Sequence, residues 1–79
     1  MVAIRLFAAA RDAAGVARDD VPGATVGAVL DAARSRYGER FGAVLAHSTV
    51  WCNGVSAELD QPVGVADEVA VLPPVSGGA

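Results

Sequence analysis

One apolar stripe sets the terms for this chain. After Thr25, a good helix N-cap, come Val26, Val29, Leu30, Ala33 and Tyr37. They stand at i, i+3, i+4, i+7 and i+11, one face of an α-helix. Asp31, Arg34, Ser35 and Arg36 largely take the other faces, and Gly38 fits the position just past the last turn. A helix with one apolar face must lay it on another layer. The rest of the chain supplies short strands, so the expected architecture is a small sheet crossed by this helix.

The strands are read from alternation. In Val2 to Phe7, Val2, Ile4 and Leu6 fall on one side and Ala3, Arg5 and Phe7 on the other, the mark of a half-buried strand. Ala8 to Ala14 is an Ala-rich helical turn that Gly15 ends. Val16 to Val21 is a second, more exposed strand, and Pro22-Gly23 a turn. Glu39 to Ala46 is a short second helix carrying Phe41, Val44 and Leu45. Thr49 to Cys52 is a third strand, Asn53-Gly54 a hairpin turn signal, and Val55 to Glu58 a short fourth strand. A loop over Asp60 to Asp67 leads to the last strand, Glu68 to Leu72. Strand, strand, helix, strand, short strand, strand is the α+β, ubiquitin-like β-grasp order, with the first and last strands as central neighbours. The expected division is a domain over residues 1–72 and an extended tail over residues 73–79.

The chain has 79 residues, one domain's worth. A domain of that size buries only about 60% of its unfolded surface, so it needs a dense core. The hydrophobic fraction of 53% supplies one, and 19% charged residues are too few for a disordered chain. The net charge is −3 with no basic stretch, which argues against a nucleic-acid partner and for a basic protein one. The six basic residues are all arginine, so an activated C-terminus meets no lysine amine on its own chain. Cys52 is the lone cysteine and excludes an internal disulfide. No long apolar run marks a signal peptide or a membrane span, and the expected location is cytoplasmic.

The tail is Pro73-Pro74-Val75-Ser76-Gly77-Gly78-Ala79. Two prolines stiffen its root. Two glycines then remove the side chains near its end, so it can thread into an enclosed site where a Cβ would clash. Its chemistry is that of a carboxyl group, since no other reactive group lies there. A six-residue extended tail reaches about 20 Å.

These features resemble the MoaD-type sulfur carriers, the small subunits of molybdopterin synthase in the MoaD/ThiS ubiquitin-like family. The matching stretches are Leu6-Phe7-Ala8 with Arg11 and Gly15, Thr25-Val26, Asn53, Asp67-Glu68-Val69, and Val69 through Gly78 with its Pro-Pro-Val-Ser-Gly-Gly run. The resemblance implies a carrier rather than a free-standing enzyme. A MoeB-type, E1-like adenylyltransferase would spend ATP to adenylate the carboxylate of Gly78, beside Gly77. A sulfur-donor protein would then displace AMP and leave a thiocarboxylate. The charged tail would enter a MoaE-type large subunit, in a heterotetramer, and give its sulfur to cyclic pyranopterin monophosphate. No cofactor is implied as permanently bound, and neither a metal, a nucleic acid nor a membrane is expected.

Alternation also predicts a docking surface. With Val2, Ile4 and Leu6 inward, Phe7 faces outward. The same parity turns Val69 and Val71 inward with Leu72 outward, and Val50 and Cys52 inward with Trp51 outward. Phe7, Leu72 and Trp51 would form one apolar patch on the open sheet face. Burying roughly 300 Å² of it at about 25 cal/mol per Å² contributes on the order of 7 kcal/mol before association costs. The resemblance places Phe7, Arg11 and Leu72 at the partner interface, with Pro73, Pro74, Val75 and Ser76 leading into the partner. For Trp51, a second reading packs the ring under the Asp60–Asp67 loop.

Other residues carry blander readings. Cys52 reads as a small buried apolar residue rather than a sulfur relay. His47 has no Cys or second His near it to share a metal. Asp60, Asp67 and Glu68 read as loop and strand-start residues, with a role as acidic rim contacts as the alternative. Two positions depart from the family pattern. Ala66 replaces a turn glycine, and Ala79 follows the second glycine. Ala79 is read as removed by a peptidase, as foreign to the natural chain, or as the sign of a non-reactive relative. The competing functions are a carrier feeding thiazole or cysteine synthesis, and a ubiquitin-like binding module without tail chemistry.

Overall fold

The computed structural model describes residues 1–74. Within them the order is β1 (Val2–Leu6), α1 (Ala8–Ala14), β2 (Arg18–Val21), α2 (Val26–Tyr37), α3 (Glu39–Leu45), β3 (Thr49–Cys52), β4 (Val55–Ser56) and β5 (Glu68–Leu72). The strands form one sheet in the order β2-β1-β5-β3-β4. β1 and β5 run parallel, and the other neighbouring pairs are antiparallel. This is the β-grasp order expected from the sequence, with β1 and β5 at the centre.

The core lies between one sheet face and the helices. Val2, Ile4 and Leu6 of β1, Val69 and Val71 of β5, and Val26, Val29, Leu30 and Ala33 of α2 are all buried. Phe41 and Leu45 of α3 close the same cluster. Tyr37 meets Phe41 edge-on at 5.1 Å between ring centroids, a favoured aromatic geometry.

The start of α2 shows how the long loop is used. The first N–H groups of a helix lack internal partners. Here the Val26 N–H donates to the Gln61 carbonyl (3.0 Å) and the Gly27 N–H to the Leu59 carbonyl (2.8 Å). The Ala28 N–H donates to Thr25 Oγ1 (3.1 Å), so Thr25 is the N-cap. At Gly23 the chain passes so close to α2 that a Cβ there would sit 2.6 Å from the Val29 nitrogen. The turn glycine is therefore a packing requirement.

Four boundaries differ from the sequence reading, the slightest being α3, which ends at Leu45 with Ala46 as its C-cap. β1 stops at Leu6 because Phe7 already acts as the N-cap of α1, its carbonyl accepting from the Ala10 N–H at 3.0 Å. β2 begins at Arg18 rather than Val16. Gly15 closes α1 with a left-handed φ of 81°, and the chain needs the next residues to turn back. β4 ends at Ser56 rather than Glu58, since the Gln61 N–H donates to the Glu58 carbonyl (3.2 Å) and a turn opens there.

Candidate functional site: the open sheet face and the root of the tail

The helices cover one sheet face. Strand register arranges the outward residues of the other into rows. Leu72 pairs with Thr49, and continuing the Leu6–Val71 pairing sets Phe7 on the other side of Leu72. The Phe7 N–H donates to the Val71 carbonyl at 3.2 Å, which pins it there. The next row runs Arg18, Arg5, Ala70, Trp51, Ser56. The third runs Asp20, Ala3, Glu68.

The structure therefore places Phe7, Leu72 and Trp51 on one face, at 38%, 36% and 36% exposure. Trp51 stands outward, with Cys52 buried and Val50 packed against the core. It lies diagonally from Leu72 and directly opposite Ala70, within reach of a large ring. Arg11 is exposed on α1, one turn past Phe7, with its N–H on the Phe7 carbonyl at 3.4 Å. Pro73 is half-buried and Pro74 exposed, directly beyond β5. Val75, Ser76, Gly77 and Gly78 lie outside the described residues, as does Ala79.

Sequence reading put Arg5 on the Phe7 side and named Glu68 as an alternative rim contact, but not the cluster these two form with Arg18. The Arg5 guanidinium lies over the Phe7 ring, 5.4 Å from its centroid, a cation–π distance. Glu68 sits between two arginines, 4.0 Å from Arg5 and 3.9 Å from Arg18. The signal was present in part, because Arg5 and Phe7 are two apart on one strand and share a face. The Arg18 and Glu68 placements depend on register, which alternation does not reveal.

Asp67 is held in the turn before β5 and does not stand free as a rim group. Its carboxylate accepts from Asn53 Nδ2 and from the Gly64 N–H, each at 2.8 Å. These two bonds, the Asn53 one first, hold its carboxyl below the usual carboxylate range. Asn53 in turn accepts the Glu68 N–H on Oδ1 (2.9 Å) and donates its own N–H to the Glu68 carbonyl (2.9 Å). Asn53 takes a left-handed φ of 53°, whereas Ala66 is not among the positive-φ residues. Alanine at 66 therefore carries no backbone strain. Cys52 is buried, and burial first, then the Asp67 charge, pushes its thiol up. A thiol held protonated is a poor sulfur relay.

Comparison with known proteins fixes the family. A family model for ThiS matches residues 4–78 of this chain. The chain belongs to the ThiS family, the ubiquitin-like sulfur carriers. The chain is similar to small archaeal modifier protein 1 of Haloferax volcanii, 40% identical over 94% of this chain and 97% of that one. The solution structure of small archaeal modifier protein 1 from Methanosarcina acetivorans matches with a TM-score of 0.86 at 27% identity, covering 98% of this chain and 95% of that one. A Pyrococcus furiosus protein assigned as molybdopterin converting factor, subunit 1, matches with a TM-score of 0.80 at 28% identity, covering 94% and 97%. The ThiS match extends through both glycines, Gly77 and Gly78.

Proposed function

We propose that this ThiS-family chain carries sulfur as a thiocarboxylate on Gly78 for the making of molybdopterin. The observation that carries the reading is the family match reaching position 78, over a chain whose run after β5 is Pro-Pro-Val-Ser-Gly-Gly. The likeness to the Pyrococcus molybdopterin converting factor subunit supports the pathway.

The chemistry follows from the carboxyl group. A carboxylate is a poor electrophile because its charge repels nucleophiles. Attack of its oxygen on the α-phosphate of ATP expels pyrophosphate and leaves an acyl-adenylate. Sulfur delivered by a donor protein at the sulfide level attacks the acyl carbon and displaces AMP, and the thiocarboxylate so formed is a good nucleophile. ATP is bound by the E1-like, MoeB-type adenylyltransferase rather than by this chain. The body docks through Phe7, Leu72, Trp51 and Arg11. Pro73, Pro74, Val75 and Ser76 lead the end into the MoaE-type large subunit, where the sulfur is handed to cyclic pyranopterin monophosphate. Whatever follows Gly78 is removed before activation.

A second reading rests on the 40% identity to a protein named as a modifier. The same acyl-adenylate is then attacked by an amine of another protein, giving an amide with loss of AMP and a proton. One experiment separates the two. A chain ending at Gly78 is incubated with the E1-like enzyme, ATP, a sulfur donor and the large subunit, and intact mass is recorded. Exchange of one oxygen for sulfur, reversed on adding the pterin precursor, supports the carrier. Sulfur gained but never surrendered to the pterin precursor rejects the molybdopterin branch. Absence of any adenylation rejects both readings.

A further inference from the structure

The molecule is acidic as a whole, yet the part of its open face nearest the tail is not. Of the chain's nine carboxylates, those of Asp20 and Glu68 stand in the far row of this face. Asp19 lies on the helix side, bound to Tyr37 and Arg36. Asp31 is paired with Arg34 on α2, and Asp67 is held in its turn. Moving along the open face toward the tail, the rows change in character. The carboxylates of Asp20 and Glu68 come first, then Arg18 and Arg5 beside Ala70 and Trp51, then Phe7, Leu72 and Thr49. The two arginines thus border the apolar patch.

They are also set in place. Arg5 and Arg18 are direct cross-strand partners, and Glu68 reaches toward both from the far row at the outer limit of ion pairing. The Phe7 ring lies under the Arg5 guanidinium, 5.4 Å from it at the centroid. Among the described residues neither arginine has another ion-pair partner. A guanidinium has five N–H donors, so both retain donors for a carboxylate from outside.

We propose that the open face selects a protein partner presenting an apolar groove rimmed by carboxylates, with Arg5 and Arg18 meeting the carboxylates while Phe7, Leu72 and Trp51 fill the groove. This rests on the carrier reading, because the occupant is the E1-like adenylyltransferase that must take up the tail's carboxylate before any sulfur is loaded. A basic partner, which the net charge alone favours, would set its cations against both arginines, and like charges across an interface select against binding. Trp51 stands two strands from Arg5, so the partner's carboxylates lie about 10 Å from the pocket for the indole.

The test uses the E1-like adenylyltransferase of the same source, with pyrophosphate release as readout and a chain ending at Gly78 as substrate. The double variant Arg5→Glu/Arg18→Glu is expected to raise the KM for the carrier about tenfold or more, with kcat within about twofold of wild type. Wild-type KM should rise with added NaCl, and the variant's should not. Arg34→Glu/Arg40→Glu makes the same net-charge change on the helix side and should leave KM within about twofold. Arg5→Gln/Arg18→Gln serves if the reversed variant does not fold, and should fall between. The proposal is overturned if a folded reversal or neutral variant keeps the wild-type KM, or if the helix-side variant loses as much. Wild type that is adenylated while the variants change nothing removes only this surface. Wild type that is never adenylated removes the carrier reading and this proposal with it.

Discussion

Ala8 holds a φ of 48°, in the left-handed region that alanine seldom adopts. The chain swings there from β1 into α1 with Phe7, the helix N-cap, as the single residue between them. Left-handed geometry costs a residue with a Cβ about 1 kcal/mol. Ala8→Gly is therefore expected to raise stability by about that amount and Ala8→Val to lower it, read from urea midpoints at constant m. At the neighbouring position, Phe7→Asp combined with Leu72→Asp should leave the fold intact, because both side chains stand outward, while partner binding is lost. Titration of the folded double variant against the E1-like enzyme would refute the patch if affinity were unchanged. The outward positions of Phe7, Leu72 and Trp51 were legible because strand parity needs only one residue in two. The Asn53–Asp67–Glu68 clasp was not legible, since hydrogen bonds between residues 14 or 15 apart leave no periodic trace. Asn53→Ala removes all three of its side-chain roles: the bond from Nδ2, the one to Oδ1, and the tolerance of a positive φ. We expect a loss of about 1–3 kcal/mol, measurable by thermal unfolding.

Among the elements, α2 was read with its cap and its buried stripe because 3.6-residue periodicity and Thr25 are both local signals. Its tie to β2 was hidden. The Tyr37 hydroxyl donates to Asp19 Oδ2 at 2.5 Å, and Arg36 Nη1 donates to the same atom at 3.0 Å and to the Asp20 carbonyl at 2.8 Å. The Tyr37 pKa is pushed up to about 12, first by burial and then by the Asp19 hydrogen bond. A raised folded-state value means the contribution is complete below the unfolded value near 10 and is lost as pH rises toward 12. Asp19 is shifted the other way, first by the Tyr37 bond, so its contribution is complete above about 4 and falls away in acid. Tyr37→Phe is expected to cost about 1 kcal/mol at neutral pH and to remove the alkaline loss. Asp19→Asn should flatten the acid arm instead. Urea midpoints from pH 2 to 11 would show both effects, and parallel curves for wild type and Tyr37→Phe above pH 10 would contradict the assignment.

At the scale of the whole molecule, the sequence announced a small sheet under one helix, and the arrangement follows. Composition gives one net charge, −3, and does not show that Arg5 and Arg18 stand together beside the apolar patch, because a net value averages over faces that never meet the same neighbour. The placement of β5 has a mechanical consequence. It is bonded along one side to β1 and along the other to β3, and Pro73 and Pro74 leave directly from its end. Tension applied to that end runs lengthwise through β5 and loads both ladders in shear, so no single bond can be opened first. Pulled between Met1 and Pro74 in an optical trap, the body should rupture in one event rather than shed β5 by stages. A burrow that grips the end of this chain could therefore draw β5 out only by parting both ladders together.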